Sequence, residues 1–233
     1  TITPSFTITP SSVPADYTGN IVLNITGLTS GEQVRFTRFQ DANHDGNGDI
    51  SDPLVNDFTV KDGATTAFGG VTDPIIPADD DGLQDGNIST HITLPASAEM
   101  GRVSGNYVIT VTSTNSNRNF IPITQILTVT QPASYVQSVS GQVFDTNNNP
   151  IGFSKVALLS QGNNGDSQFI VGTLTDSNGN FTLAAPVGSY LLVAFKQGYV
   201  TASPIRHPHR QPNLNRTKPY HGCRHFHDHW QHG

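Results

Sequence analysis

Between Asp41 and Asp52 the chain reads DANHDGNGDISD, with an oxygen-bearing side chain at every second position of its first nine residues. Counting Asp41 as the first position, Asn43 is third, Asp45 fifth, Asn47 seventh, Asp49 ninth and Asp52 twelfth, and Gly46 is sixth. A hard cation such as Ca²⁺ takes six to eight oxygen ligands, and side chains at positions one, three, five and twelve with the carbonyl at seven can supply them. The sharp turn needed at position six costs least for Gly. The competing reading is a solvated loop of Asx turns. A second acidic run, DDDGLQDGN, spans Asp79 to Asn87, but Leu83 breaks its alternation. Asp79, Asp81 and Asp85 are its candidate ligands. The run could form its own site, lend Asp81 and Asp85 to the first loop, or be an acidic turn. Asp73 could join either cluster.

The distribution of acid supports cation chemistry over general solubility. There are sixteen Asp against two Glu, and eleven of the Asp lie between Asp41 and Asp85. The spacing of Asp41–Asp52 resembles an EF-hand-type calcium loop. It departs from that pattern in having Asp52 where a bidentate Glu is usual and Gly48 where an apolar residue is usual. The preceding VRFTRF reads as a strand, so the resemblance implies a calcium loop set in a β-sheet rather than a helix-loop-helix sensor. Closely held carboxylates repel until a divalent ion neutralises them. The expected cofactor is therefore a structural Ca²⁺ that stiffens long loops.

Charged residues make up 13% of the 233, about half the usual share. Thr, Ser and Asn fill the difference, a mixture poor for helices and good for strands joined by turns. Coiled coils, helical bundles and charge-rich disordered chains are excluded, and no apolar run is long enough for a membrane-spanning helix. A net charge of −6 leaves no basic footprint for nucleic acid. No signal-peptide pattern opens the sequence, which suggests a processed or trimmed start. The lone Cys223 allows no internal disulfide.

Short alternating runs predict strands at Ser5–Ile8, Ile21–Ile25, Gln33–Phe39, Asp57–Val60, Ile88–Leu94, Tyr107–Thr112 and Ile123–Val129. Val108, Ile109, Val111, Ile126, Leu127 and Val129 are the expected late-strand core. The opening TITPSFTITP repeats TITP. It reads as an edge strand or linker, or as a donor strand that completes a neighbouring subunit's sheet. The predicted fold is all-β, two tandem antiparallel β-sandwich domains. The expected divisions are an extended segment over 1–13, a calcium-binding sandwich over 14–132, a second sandwich over 135–205 and an anomalous tail over 206–233.

The second sandwich carries Gly141 and Val143, Pro150 and Ile151, Val156 and Leu158, Thr175, Gly179 and Phe181, Gly188, Tyr190 and Leu192, and Lys196, Gly198 and Tyr199. In this pattern residues 138–200 resemble the carboxypeptidase regulatory-like domain, a small transthyretin-like sandwich. The resemblance implies a spacer or stabilising module without peptidase residues.

After Ile205 the composition changes, and residues 206–233 hold seven of the nine His, five of the twelve Lys and Arg, the only Cys and the only Trp. His207, His209, His221, Cys223, His225, His227, His229 and His232 could form a Zn, Ni or Cu tail. The segment could also be a disordered basic end. A one-base frameshift explains more, because His codons then read mainly as Thr and the shifted string VTLTANLTSTVQNLTTAVGTFTITGNT alternates like a strand.

Asn24, Asn87 and Asn180 stand in N-glycosylation sequons, which chains rich in Asn, Ser and Thr also produce by chance. No nucleophile–base constellation occurs; His44 and His91 are the only His outside the tail. The expected function is a structural subunit of an extracellular or cell-surface calcium-stabilised fibre, a homo-polymer joined through the N-terminal strand. The alternative is an adhesin or carbohydrate-binding module of a larger secreted protein, with surface glycans as partners. Phe39, Phe58 and Phe68 are the aromatic candidates near the calcium loops. A secreted hydrolase lacks its residues.

Overall fold

In a computed structural model, which describes residues 3–65, 67–68, 71–72, 77–94, 102–115, 120–161, 166–199 and 229–231, every regular element is a β-strand. No helix among the described residues is long and apolar enough to cross a membrane. The chain divides into two compact units. The first comprises Thr1–Val13, Tyr17–Pro95 and Asn106–Val129, and the second Pro14–Asp16, Ala96–Gly105 and Thr130–Gly233.

The strands of the first unit are β1 (Ser5–Thr9), β2 (Ser12–Pro14), β3 (Ile21–Thr26), β4 (Gln33–Gln40), β5 (Leu54–Lys61), β6 (Ala67–Phe68), β7 (Val71–Thr72), β8 (Ile88–Ile92), β9 (Gly105–Ser113) and β10 (Ile123–Thr130). They form a three-stranded sheet ordered β1-β3-β8 and a five-stranded sheet ordered β2-β10-β9-β4-β5, with β6 and β7 as a small separate pair. Each long strand turns its alternate apolar residues inward, as a half-buried sheet requires. Ile21, Leu23 and Ile25 of β3 are fully buried, as are Val34 of β4 and Val111 of β9. The two sheets meet where Phe6 of β1 packs edge-on against Phe36 of β4, ring centroids 5.9 Å apart. Phe58 stacks on Phe36 at 5.2 Å.

The N-terminal segment serves both sheets of its own unit. Strand β1 pairs antiparallel with β3, Phe6 opposite Ile25 and Ile8 opposite Leu23. Two residues later β2 joins β10 in the other sheet. Within this chain, therefore, Ser5–Thr9 of the opening segment is an edge strand of its own sandwich. One core expectation is corrected: Ile126 is 42% exposed. Leu127 and Val129 take the inward positions of β10, and a period of two sends Ile126 outward.

The second unit holds β11 (Gln137–Gln142), β12 (Lys155–Gln161), β13 (Ser167–Leu174), β14 (Asn180–Ala185), β15 (Leu191–Phe195) and β16 (His229–Gln231), in sheets ordered β14-β11-β16 and β13-β12-β15. Its core joins Val139, Phe181 and Leu183 of one sheet to Val156, Leu158, Val171 and Leu192 of the other. Ala157, Leu191 and Val193 form a smaller cluster, so β15 buries successive residues on both of its faces. Val103 bridges to Gly172 of β13 in parallel.

Two turns of this unit share one design. Asp145 Oδ1 accepts the N–H groups of Asn147 and Asn149, each at 2.8 Å, and Asp176 Oδ1 accepts those of Asn178 and Asn180 at the same distance. Each turn needs one residue in the left-handed region, filled by Asn148 (φ 64°) and Gly179 (φ 78°). At Gly179 a Cβ would lie 2.7 Å from the Val143 carbonyl oxygen, so glycine answers a steric demand as well as a torsional one. The tail from 206 lies outside the described residues apart from β16, which pairs with β11. Asp73 also lies outside them.

Candidate metal centre

Residues 41–53 connect β4 to β5. A loop this long inside a hairpin is unusual unless it has a task, and its ends are pinned by the sheet. Gln40 N–H donates to the Pro53 carbonyl at 2.9 Å, and Asp41 N–H to the Asn106 carbonyl at 3.0 Å. Asp41 and Asp52 are thereby carried into the buried base of the loop, 2% and 6% exposed.

The loop's own N–H groups then orient these carboxylates. Asp41 accepts from the N–H of Asp45 at 3.1 Å and of Gly46 at 3.2 Å. Asp52 accepts from Ala42 N–H at 2.9 Å. Gly46 sits at φ 77° and His44 at φ 61°, so the chain reverses tightly where the sixth-position turn was predicted. One carboxylate oxygen from each of Asp41, Asp45 and Asp52 lies within 4.8 Å of the other two. Oxygens bound to a common Ca²⁺ at about 2.3–2.6 Å can stand no more than roughly 5 Å apart. The spacing and the all-oxygen donor set fit that ion.

Asn43 borders the cluster, its amide nitrogen donating to Asp45 Oδ2 at 2.9 Å. Asn47 donates its N–H to Asp45 Oδ1 at 2.7 Å and offers its carbonyl by position alone. Asp49 turns away. Its Oδ1 accepts both the N–H and the hydroxyl of Ser51, each at 2.7 Å. Those bonds hold its carboxyl below the ordinary range.

The second acidic run is not lent to the first loop, which corrects that expectation. Asp79 accepts the N–H of Gly63 at 2.8 Å, and Gly63 follows the far end of β5. The eight residues of β5 put about 25 Å between the two ends at roughly 3.3 Å per residue. Asp81 and Asp85 each close an Asx turn, on Leu83 N–H at 2.8 Å and Asn87 N–H at 2.9 Å. Among the sequon asparagines, Asn24 lies within β3 and pairs across to Thr7 and Ser89. Asn87 is half-buried at the start of β8. The Asn180 amide donates to Asp176 Oδ2 at 3.1 Å.

Two residues that the sequence reading passed over shape this unit. Arg38 is 1% exposed, with its guanidinium 4.3 Å from the centre of the Tyr107 ring. The signal was register: Val34, Phe36, Arg38 and Gln40 share one face of β4. Asp62 is fully buried, and neither alternation nor loop spacing marks it.

Burial pushes the Asp52 carboxyl above its ordinary 3.8, the charges of Asp41 and Asp49 act the same way, and the Ala42 and Asp49 N–H groups oppose them. In metal-free protein the folded form thus holds this proton more tightly than the unfolded chain. Its contribution is full below 3.8 and is lost as pH rises through the folded value. Calcium needs the carboxylate, so its stabilising increment should run the opposite way. Melting with and without calcium should show the full increment at about pH 7 and progressive loss towards about pH 4. An increment that does not change across that range would exclude Asp52 as a ligand.

Residues 138–215 match the carboxypeptidase regulatory-like domain family. The match falls in the second unit, runs past the composition break at Ile205 and does not include the acidic loops. That domain is a non-catalytic Ig-like fold. Comparison with curated proteins gives no significant match.

Proposed function

We propose that the chain is a non-catalytic structural subunit of an extracellular or cell-surface fibre. Calcium stiffens its first sandwich and the N-terminal strand joins one subunit to the next. The convergence of Asp41, Asp45 and Asp52 at the base of a sheet-anchored loop carries the calcium part. Millimolar extracellular calcium would keep a site of this class filled. The assembly part is supported by β1, which among the described residues is the edge strand of its sheet, pairs with β3 and buries Phe6 and Ile8 in the core. The same register made in trans would fill the same core positions from a neighbouring copy. Such a head-to-tail contact is heterologous and continues as a filament unless it closes. Electron microscopy of the full chain in calcium, beside a chain lacking Thr1 to Pro10, tests the assembly. Filaments from the full chain alone are expected, and monomers from both would overturn it.

A carbohydrate-binding role is favoured by one separate observation. A groove of about 530 Å³ is lined by polar residues including Ser30, Gln33, Lys61, Thr114 and Asn115, a size that admits a small ligand. Binding on a glycan array that survives loss of filament formation would favour this reading.

A further inference from the structure

Two Asn-Gly pairs lie among the described residues, and the fold holds them in opposite ways. Asn178–Gly179 is locked. Asn178 N–H donates to Asp176 Oδ1 at 2.8 Å, and Gly179 N–H to the Asp176 carbonyl at 3.0 Å. The Asn178 carbonyl accepts from the Gln142 amide at 2.7 Å, and Gly179 is buried. Asn47–Gly48, in the acidic loop, is open. Asn47 is exposed, Gly48 is half-buried, and among the described residues Gly48 N–H donates no hydrogen bond. The bonds that Asn47 donates both run back to Asp45, from its N–H to Oδ1 at 2.7 Å and from its side-chain amide to the carbonyl at 3.4 Å.

Packing demands the glycine at 48. A Cβ there would stand 2.9 Å from Cδ2 of Phe39, so the loop lies on that ring only because the residue has none. The same bareness leaves the Gly48 nitrogen sterically open to the side chain before it. Closing a five-membered ring between that nitrogen and Asn47 Cγ is intramolecular, which favours it strongly over attack by solvent. The Gly48 nitrogen loses its proton to water and attacks Cγ. The N–Cγ bond forms, the Cγ–Nδ2 bond breaks, and ammonia leaves with a proton. Water then opens the resulting succinimide at either carbonyl, giving aspartate or isoaspartate. One water enters and one ammonia departs, with no oxidation or reduction.

We propose that Asn47 is a site of spontaneous modification through this succinimide, that the fold protects Asn178 from the same reaction, and that Ca²⁺ in the loop slows it. The last part rests on the calcium reading of the loop, in which the Asn47 carbonyl is the ligand at position seven. A carbonyl held on the ion fixes the peptide group that must rotate for the ring to close. Isoaspartate moves one carbon from the side chain into the main chain and so displaces that carbonyl. The loop therefore ages while it is empty, and ageing weakens its later hold on the cation.

Peptide mapping by mass spectrometry tests this on the full chain, incubated in mildly alkaline buffer with EGTA or with calcium. In EGTA, Asn47 should convert at least about tenfold faster than Asn178, whose turn must first open locally at a cost of about 1.4 kcal/mol or more. The same chain unfolded in urea should lose that difference, because both sites are then unrestrained Asn-Gly. Comparable rates at Asn47 and Asn178 in the folded chain would overturn the modification site. Calcium should slow Asn47 severalfold and leave Asn178 unchanged. Conversion at Asn47 that is fast in EGTA and equally fast in calcium would overturn the part played by the ion while the modification site stands, so the two failures are distinguishable.

Discussion

Excess EGTA should lower the melting temperature of the first unit by about 10–20 °C. At calcium about 100-fold above the dissociation constant, mass action contributes roughly 2.7 kcal/mol. A domain near 100 residues shifts by about 4–8 °C per kcal/mol. The effect follows from the loop's construction, because Asp41 and Asp52 are held in the buried base with Asp45 closing over them. Removing the ion leaves like charges facing one another, with backbone N–H groups as their remaining support. The control is Asp45→Ala. Its side chain is exposed, so the metal-free melting should hardly change while most of the calcium-dependent gain disappears. Wild-type protein that melts identically in calcium and in EGTA would contradict the prediction.

The second large effect should come from Phe6→Ala, at a cost of about 3–5 kcal/mol. Phe6 is 2% exposed, packs against Phe36 and faces the centre of the unit from an edge strand. Truncation leaves a cavity against Phe36, and among the described residues β3 is the one strand paired with β1 to retain it. Chemical denaturation of the variant against wild type measures the loss. If β1 is exchanged between subunits, a synthetic Thr1–Pro10 peptide should restore stability to a chain lacking those residues, and Phe6→Ala in that peptide should abolish the rescue. A variant as stable as wild type would show that β1 is dispensable to the core.

The strands of the first unit were legible because each buries one face. Ile21–Ile25, Gln33–Phe39 and Tyr107–Thr112 alternate cleanly, and the structure extends each by a residue or two at its ends. Strand β2 was missed because three residues ending in Pro14 carry no period. Ile126 was misplaced because apolar neighbours in sequence cannot share one face of a strand. At the acidic loop, spacing pointed to the positions of Asp41, Asp45 and Asp52, while only coordinates could show Asp49 committed to Ser51. The placement of Asp79 was not legible at all. It depends on β5 carrying the chain to the opposite end of the sandwich before Gly63 meets it, a long-range consequence of topology. Asp62 was hidden for the same reason, since its partners come from loops around Gly31 and Gly86.

The most direct test of the calcium loop is an anomalous-difference map from crystals grown in calcium. A peak is predicted among the carboxylates of Asp41, Asp45 and Asp52, with oxygen ligands at about 2.3–2.6 Å and a coordination number of six to eight. Hydrogen-bonded water at that position, with no anomalous signal at saturating calcium, would contradict the account.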